Sequence, residues 1–183
     1  MMKKRRMVKV YRFIAIKHFY NLAGYLLPIL AVFVLILGTY GSIGGLYLAP
    51  ADYQQGDAFR IIYVHVPSAF LSLFIYLVMA MAAVIGLIFR IKLADLIVSG
   101  SVFLGSWFTF LALLTGSVWA KPMWGAWWVW DARLTSELIL LFLYLGVIAL
   151  RSAIPEPRVA AKATAVLLML GLANIPIIHY SVY

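Results

Sequence analysis

The residues best suited to chemistry cluster in one stretch, residues 119–137. Five of the six tryptophans lie in it, at positions Trp119, Trp124, Trp127, Trp128 and Trp130. Tryptophan is common where a membrane meets water, because its ring is apolar and its N–H is polar. Simple anchoring does not require four of them within seven residues, as found here. The spacing therefore favours a broad aromatic platform for a large, flat, apolar ligand.

The chain has three histidines, and two of them, His65 and His179, lie at the ends of long apolar segments. His18 falls instead in a basic N-terminal segment. Two neutral imidazoles on different helices can supply both axial ligands of a haem iron, and apolar aromatic rings can cover the porphyrin. We therefore expect His65 and His179 to bind the iron and the tryptophans to lie against the ring.

A bound haem also needs cations for its two propionates. Arg60, Lys121 and Arg133 are the only basic residues predicted on the same side of the membrane as the tryptophans. We expect Arg60 and Arg133 to contribute to the site. Asp131 is a further candidate, although a helix cap is the plainer interpretation of its position before an apolar helix.

Each of these residues also has an ordinary structural interpretation. A histidine at a helix end is often only a polar boundary residue, and His179 near the end of the chain could be inert. Trp119 could be a boundary anchor, and Trp107 is expected to pack within its helix. Arg133 and Glu137 are four residues apart and could form a structural pair on one helix face.

The composition indicates a polytopic membrane protein. Apolar residues make up 66% of the chain and charged residues only 11%, more apolar surface than a soluble domain of this size can bury. The apolar runs are continuous, which argues against a β-barrel. There is no cysteine, so disulfides and thiolate metal sites are excluded. We predict an all-α, polytopic transmembrane helical bundle that forms a single membrane domain over residues 1–183.

Five membrane spans position the candidate residues. Their predicted ranges are about 22–40, 64–89, 94–118, 132–150 and 160–178. A basic cytoplasmic segment, residues 1–17, precedes them, and a Trp-rich periplasmic loop, residues 119–131, connects the third span to the fourth. Pro67 suits the first turn of a helix, which places His65 at the outer boundary.

The distribution of charge predicts the topology. With the N-terminus inside, twelve of the fifteen Lys and Arg residues fall on the inner side, as the positive-inside rule requires. This arrangement puts His65, His179 and the Trp-rich loop together on the outer face. It also explains the net charge of +9 without nucleic-acid binding. No nucleotide-binding, hydrolytic or metalloprotease motif is present, so we predict no enzyme activity and expect any energy to come from a partner.

The run WGAWWVWDARLTSELILLFLYLG resembles the tryptophan-rich signature of the haem-handling family of cytochrome c maturation. The flanking pieces APADYQQG, RIIYVHVPSAF, TGSVWAKPMWG and NIPIIHYSV are similar, in the same order, to the CcmC branch of that family. The similarity extends from about Tyr20 to the end of the chain. In that family one histidine lies on either side of the signature loop, and here these correspond to His65 and His179.

The resemblance implies a multi-pass protein of the bacterial inner membrane, embedded in lipid. It would hold haem b at the periplasmic face and present it to the haem chaperone CcmE. A small membrane helper, CcmD, and an ABC transporter, CcmA/CcmB, would join the assembly.

The family also leaves alternatives open. Its members continue past the second histidine with another outer loop and a sixth span, so we expect either a truncated protein or part of a longer one. Haem lyase-type enzymes share the Trp signature but are larger and have additional histidines. A structural subunit of a haem-related ABC transporter, with the Trp-rich loop as a docking surface, is the remaining alternative.

Overall fold

The computed structural model describes residues 16–181, except for the side chain of His179, and most of the basic segment predicted over residues 1–17 lies outside this range. Within the described residues the chain is helical and has no β-strand. The helices are α1 (Ile16–Ile43), α2 (Ile62–Phe89), α3 (Lys92–Trp124), α4 (Ala132–Ala153), α5 (Pro157–Gly171) and α6 (Asn174–Tyr180). A π-helical turn, Gly44–Leu48, and a 3-10 helix, Asp57–Ile61, connect α1 to α2.

The predicted all-α membrane bundle is confirmed. Five helical segments of the described chain are long and apolar enough to cross a membrane. α5 and α6 together form the fifth of them, with a short break at residues 172–173. We call the end of the bundle that carries residues 125–131 the Trp end. Which side of the membrane it faces stays a prediction.

Helix α3 is longer than the sequence indicated. It continues through Trp124, six residues past the expected end of the third span. Its 33 residues correspond to about 50 Å, against a hydrocarbon core of about 30 Å. The helix ends only at Gly125, which has φ 76° and donates its N–H to the carbonyl of Lys121. Trp119 and Trp124 therefore lie on a helix, and the connecting loop is confined to residues 125–131.

Two buried tyrosines hold the centre of the bundle together. Tyr76 of α2 and Tyr144 of α4 are completely buried and pack edge to face, with their ring centroids 5.4 Å apart. Tyr144 donates its hydroxyl to the carbonyl of Ser72 over 2.7 Å, and Tyr76 donates to the carbonyl of Leu168 over 3.3 Å. These bonds join α2 to α4 and to α5 in an environment where an unpaired polar group is costly.

Glu137 is part of this buried polar layer and does not pair with Arg133. It is only 7% exposed, and its carboxyl accepts a hydrogen bond from the hydroxyl of Ser72 over 2.8 Å. Arg133 pairs instead with Asp131, at 3.2 Å. The structural pair between Arg133 and Glu137 was therefore wrong, because Glu137 faces helix α2 while Arg133 lies at the exposed start of α4.

An ion pair fixes the opposite end of the bundle. Arg151, near the end of α4, makes two parallel contacts with Asp95, near the start of α3, at 2.9 and 3.2 Å. This fork-to-fork geometry is specific to arginine and a carboxylate. It aligns α3 and α4 far from the Trp end.

Helix α1 stands apart from the other helices. None of its residues is buried, so its apolar surface is available to lipid. The following turn is its attachment point, because Gly45 lies directly against the ring of Tyr63, where an added Cβ would come within 2.6 Å of Cγ. The site described below is therefore built on α2 to α6.

The contact between Tyr144 and Gly105 yields a stability prediction. A Cβ at position 105 would overlap the phenol ring of Tyr144, whereas a Cβ at Gly100, on the exposed side of the same helix, would meet no atom within 4 Å. We expect Gly105→Ala to lower the free energy of unfolding by about 1–3 kcal/mol or more. Gly100→Ala should leave it unchanged or raise it by up to about 1 kcal/mol, because alanine favours a helix.

The measurement is the thermal unfolding midpoint of both variants in detergent. Equal midpoints for the two variants would contradict the assignment of Gly105 to a close helix contact.

Candidate functional site

His65 lies in the first turns of α2 and faces helix α3. Its Nδ1 is 3.0 Å from the carbonyl oxygen of Ala112 and 3.1 Å from Oγ1 of Thr115. The side chain is half-buried. The interpretation of His65 as a mere boundary residue in contact with lipid and water does not fit these two contacts.

The partners of His65 determine which of its nitrogens carries the proton. A carbonyl oxygen can only accept, so the contact with Ala112 requires an N–H at Nδ1. Thr115 donates its own hydroxyl proton to the carbonyl of Leu111, over 2.6 Å, which leaves its oxygen free to accept from His65. The neutral ring then has an unshared electron pair at Nε2, the atom available to a metal.

Trp119 forms a wall beside His65. The two rings meet edge to face, with their centroids 5.7 Å apart. The indole N–H of Trp119 donates to Oε1 of Gln55 over 2.9 Å, and Phe59 packs against its other side at 6.4 Å. Trp119 therefore contacts three residues of the protein, His65, Gln55 and Phe59, and is more than a membrane anchor.

The segment that supplies Gln55 is itself a stiff turn. Asp52 accepts the backbone N–H groups of Gln54 and Gln55 through its carboxylate, at 2.9 and 2.8 Å. Gly56 closes the turn with φ 58°, a conformation that glycine adopts without strain.

The other four tryptophans form a more open surface at the Trp end. Trp124, Trp127 and Trp130 are exposed, Trp130 by 76%. Trp128 is half-buried and packs edge to face on Trp130, with 5.5 Å between the centroids. The indole N–H of Trp128 is buried and has no acceptor among the described residues.

Two basic residues lie against the rings of this aromatic surface. The guanidinium of Arg133 lies 5.3 Å from the ring centroid of Trp124, and the ammonium of Lys121 lies 5.8 Å from that of Trp127. Lys121 also donates to the carbonyl of Gly125 over 3.0 Å. These cation–π contacts fix the orientation of two exposed indoles.

Asp131 is a helix cap, as the sequence indicated. Its Oδ1 accepts the backbone N–H of Leu134 over 2.8 Å, and its Oδ2 accepts from Arg133. One carboxylate thus ends the Trp-rich loop, starts α4 and holds Arg133 in place.

Arg60 lies near the end of the 3-10 helix Asp57–Ile61. It donates through Nε to the carbonyl of Ala49, over 3.1 Å, and pairs with Asp57 at 3.3 Å. Arg60, Lys121 and Arg133 thus all have partners within the protein. The pairs of Arg60 and Arg133 are solvent-accessible, and such pairs contribute little free energy.

His179 belongs to α6, and its side chain lies outside the described part of the chain. The helix that carries it is anchored where Asn174 donates to the carbonyl of Ser136, over 2.8 Å, at the Trp-end start of α4. Ile178 is buried in the core. The backbone at His179 therefore lies at the same end of the bundle as His65, while the distance between the two imidazoles stays untested.

Sequence reasoning named Trp119 as a site residue but missed the other residues that position His65. These are Ala112, Thr115 and Gly116, which with Trp119 occupy positions i, i+3, i+4 and i+7 and so share one face of α3. A hydroxyl and a glycine on that face, next to a tryptophan, were the available signals. Gly116 leaves room for the imidazole, because an added Cβ would lie 3.1 Å from Cε1 of His65.

The sequence is similar to proteins of a known family. A family model described as "Heme exporter protein C" (CcmC) matches residues 9–183. The chain is 55% identical over 163 residues to the heme exporter protein C of Escherichia coli K12, covering 89% of this chain and 66% of that protein. The corresponding Haemophilus influenzae protein is 52% identical over 163 residues, with the same coverage of both chains.

A more distant relative is named as a mitochondrial protein. The "putative cytochrome c biosynthesis ccmC-like mitochondrial protein" of Marchantia polymorpha is 45% identical over 150 residues, covering 82% of this chain and 62% of that protein. The chain thus spans 62–66% of the length of these curated relatives.

The double role of Asp131 can be tested. Asp131→Ala removes both the helix cap and the partner of Arg133, so we expect the free energy of unfolding to fall by about 1 kcal/mol. Asp131→Asn keeps an oxygen for the N–H of Leu134 and should cost much less. Chemical denaturation in detergent measures both values, and hydrogen exchange at Leu134 reports the cap directly. An equal loss in the two variants would contradict the capping role.

Proposed function

The chain belongs to the heme exporter protein C family, and from this premise we propose that it holds haem at the Trp end of a membrane bundle and presents it to a partner in cytochrome c biogenesis. The observation that carries the proposal is the environment of His65. Its Nδ1 faces two oxygen acceptors, so Nε2 has the electron pair that a haem iron binds.

The surrounding residues fit a porphyrin. Trp119 meets His65 edge to face, and the exposed rings of Trp124, Trp127 and Trp130 offer apolar area at the Trp end. The unpartnered N–H of Trp128 suits a ligand that brings an acceptor, as a propionate does. A bound haem supplies an iron that accepts imidazole nitrogens, and the protein supplies the orientation of those nitrogens.

We propose His179 as the second axial ligand. Support comes from the position of α6, which is anchored to the start of α4 by Asn174. His179 near the end of this short helix would supply the second imidazole nitrogen to the iron. Two axial imidazoles would hold the iron in a low-spin state.

The propionates would be met by Arg60 and Arg133, with Lys121 nearby. Arg60 and Arg133 each already pair with a carboxylate, so haem binding would exchange one carboxylate for another at these two residues. The pair of Arg133 with Asp131 is accessible to solvent, and such pairs exchange at little cost. The proposed site therefore needs no large rearrangement.

We further propose that the Trp end faces the periplasm in the inner membrane, with haem b as the cargo. The charge distribution supports this orientation, because most of the described basic residues lie at the opposite end, where anionic headgroups and the positive-inside rule favour them. Those residues are Lys17, Arg90, Lys92, Arg151, Arg158 and Lys162.

The receiving partner would be the haem chaperone CcmE, assisted by CcmD and the CcmA/CcmB transporter. A half-exposed iron ligand and an open aromatic surface suit a protein that hands its ligand on. Covalent haem on an apocytochrome without any chaperone would instead indicate a haem lyase.

A docking platform is the competing function, because exposed aromatic rings also bind proteins. It requires neither histidine. The two functions therefore differ in their dependence on His65.

The first test uses the visible spectrum of the purified protein. We expect the wild type to bind haem as a low-spin, bis-histidine species and His65→Ala to lower the haem content roughly tenfold or more. His18→Ala is the matched control, since His18 is an exposed residue at the far end of α1 and its loss should change nothing.

A spectrum that survives both His65→Ala and His179→Ala would defeat the proposal. A colourless wild type that still assembles with its partners would favour the docking platform.

The aromatic surface yields a second test. Removal of the exposed ring in Trp130→Ala should weaken haem binding roughly 3- to 10-fold, because a ring contact of this kind is worth about 0.5–1.5 kcal/mol. Trp107→Ala is the control: Trp107 is also exposed, by 63%, but it lies within the third span and packs on Phe110. Haem titration in detergent measures both, and equal affinities for the two variants would exclude Trp130 from the site.

A further inference from the structure

We propose that Thr115 is a positioning residue for His65. Together with the carbonyl of Ala112, its hydroxyl oxygen holds the proton of His65 on Nδ1 and restrains the ring, so that Nε2 keeps the unshared electron pair. The proposal deepens the proposed function and rests on it wherever haem is the readout. The arrangement of the proton, however, can be measured without any ligand.

The hydroxyl proton of Thr115 is already used in a hydrogen bond within α3. Thr115 has one hydroxyl proton, and two backbone carbonyls of its own helix lie within reach, Leu111 at 2.6 Å and Ala112 at 3.3 Å. The shorter contact takes the proton. The oxygen of Thr115 therefore presents a lone pair to Nδ1 of His65, 3.1 Å away.

A second acceptor, the carbonyl of Ala112, also requires the proton of His65 to be on Nδ1. The carbonyl oxygen of Ala112 lies 3.0 Å from the same nitrogen. A deprotonated Nδ1 would place two lone pairs against each other at this distance. One N–H shared between two acceptors is compatible with both contacts, and the alternative tautomer is compatible with neither the carbonyl nor the direction of the Thr115 proton.

The same face of α3 also limits rotation of the ring. Trp119 lies one turn beyond Thr115 and meets His65 at an interplanar angle of 73°. Gly116 lets the imidazole approach the helix backbone closely, since an added Cβ would lie 3.1 Å from Cε1. The two acceptors at Nδ1 and the neighbouring indole together restrain rotation of the imidazole ring.

The consequence for a metal ligand follows from general chemistry. A ligating histidine binds more strongly when its other nitrogen donates to an oxygen, because the donation fixes the tautomer and raises the basicity of the ring. Loss of such a partner typically lowers metal affinity by about 10- to 100-fold. Thr115 never touches the iron in this scheme and acts only through His65.

A purely structural role of Thr115 predicts something else. Its bond to the carbonyl four residues earlier is a local side-chain-to-backbone bond, whose loss in a helix has little effect on stability. Thr109 makes the same bond on the same helix, to the carbonyl of Gly105 at 2.8 Å, and within the described residues it has no hydrogen bond to a histidine. Thr109→Val therefore reproduces the structural part of Thr115→Val.

The experiment compares Thr115→Val, Thr115→Ser and Thr109→Val with the wild type. Nitrogen-15 spectra of histidine-labelled, haem-free protein at a pH where imidazole is neutral report the tautomer, and His65→Ala assigns the signal. We expect the wild type, Thr115→Ser and Thr109→Val to show a dominant Nδ1–H form. Thr115→Val keeps the carbonyl of Ala112 as an acceptor, so the Nδ1–H form should persist, but the Nδ1 signal should shift because one of its two acceptors is lost. We expect this variant to bind added haem about 10-fold more weakly, with a shifted reduction potential.

The inference is overturned if Thr115→Val keeps the wild-type Nδ1 signal and haem affinity, or if Thr109→Val changes both to the same extent. Failure of the proposed function looks different. In that case His65→Ala would bind haem as the wild type does, while the nitrogen spectra of the haem-free proteins would still decide the role of Thr115.

Discussion

The hydrogen bonds from Nδ1 of His65 to helix α3 are the interaction on which the rest of the site depends. They cross from α2 to α3 at the level of Ala112 and Thr115. A backbone carbonyl cannot move without the helix, so the imidazole inherits the rigidity of α3. The same helix carries Trp119, which ties His65 through Gln55 to the turn at residues 52–56. A single helix face thus sets the position, the tautomer and one wall of the site.

That rigidity has its source deeper in the bundle. Buried polar groups in a membrane must find partners within the protein, and here they do so between helices. Ser72 accepts from Tyr144 through its carbonyl and donates to Glu137 through its hydroxyl, seven residues along α2 from His65. Packing of Tyr144 against Gly105 of α3 places the third helix in the same layer. Helix α1 contributes no buried residue to this arrangement.

The sequence was sufficient to predict the fold, because apolar runs of membrane-spanning length leave few alternatives to a transmembrane helical bundle. It also identified Asp131 as a cap, since an acid before an apolar helix has one common role. It was insufficient where the outcome depends on which face a helix turns to its neighbours. Glu137 could reach Arg133 by spacing alone, and only the packing of α2 against α4 directs it to Ser72. The end of α3 was also misjudged: residues 119–124 were predicted as part of the Trp-rich loop, yet the helix ends only at Gly125.

The contrast between the two halves of the site bears on how a ligand could be both held and released. His65 and Trp119 are half-buried and fixed by several hydrogen-bond or ring contacts. Trp124, Trp127 and Trp130 are exposed. Trp124 and Trp127 make cation–π contacts with Arg133 and Lys121, respectively. In the proposed function the buried half would set the geometry of the iron ligand, and the exposed half would cover the porphyrin. An incoming partner can displace exposed indoles at low cost, whereas a fully enclosed pocket would first have to open. A platform of this kind, with one rigid ligand beneath it, is therefore better suited to transfer of a porphyrin than to its permanent retention.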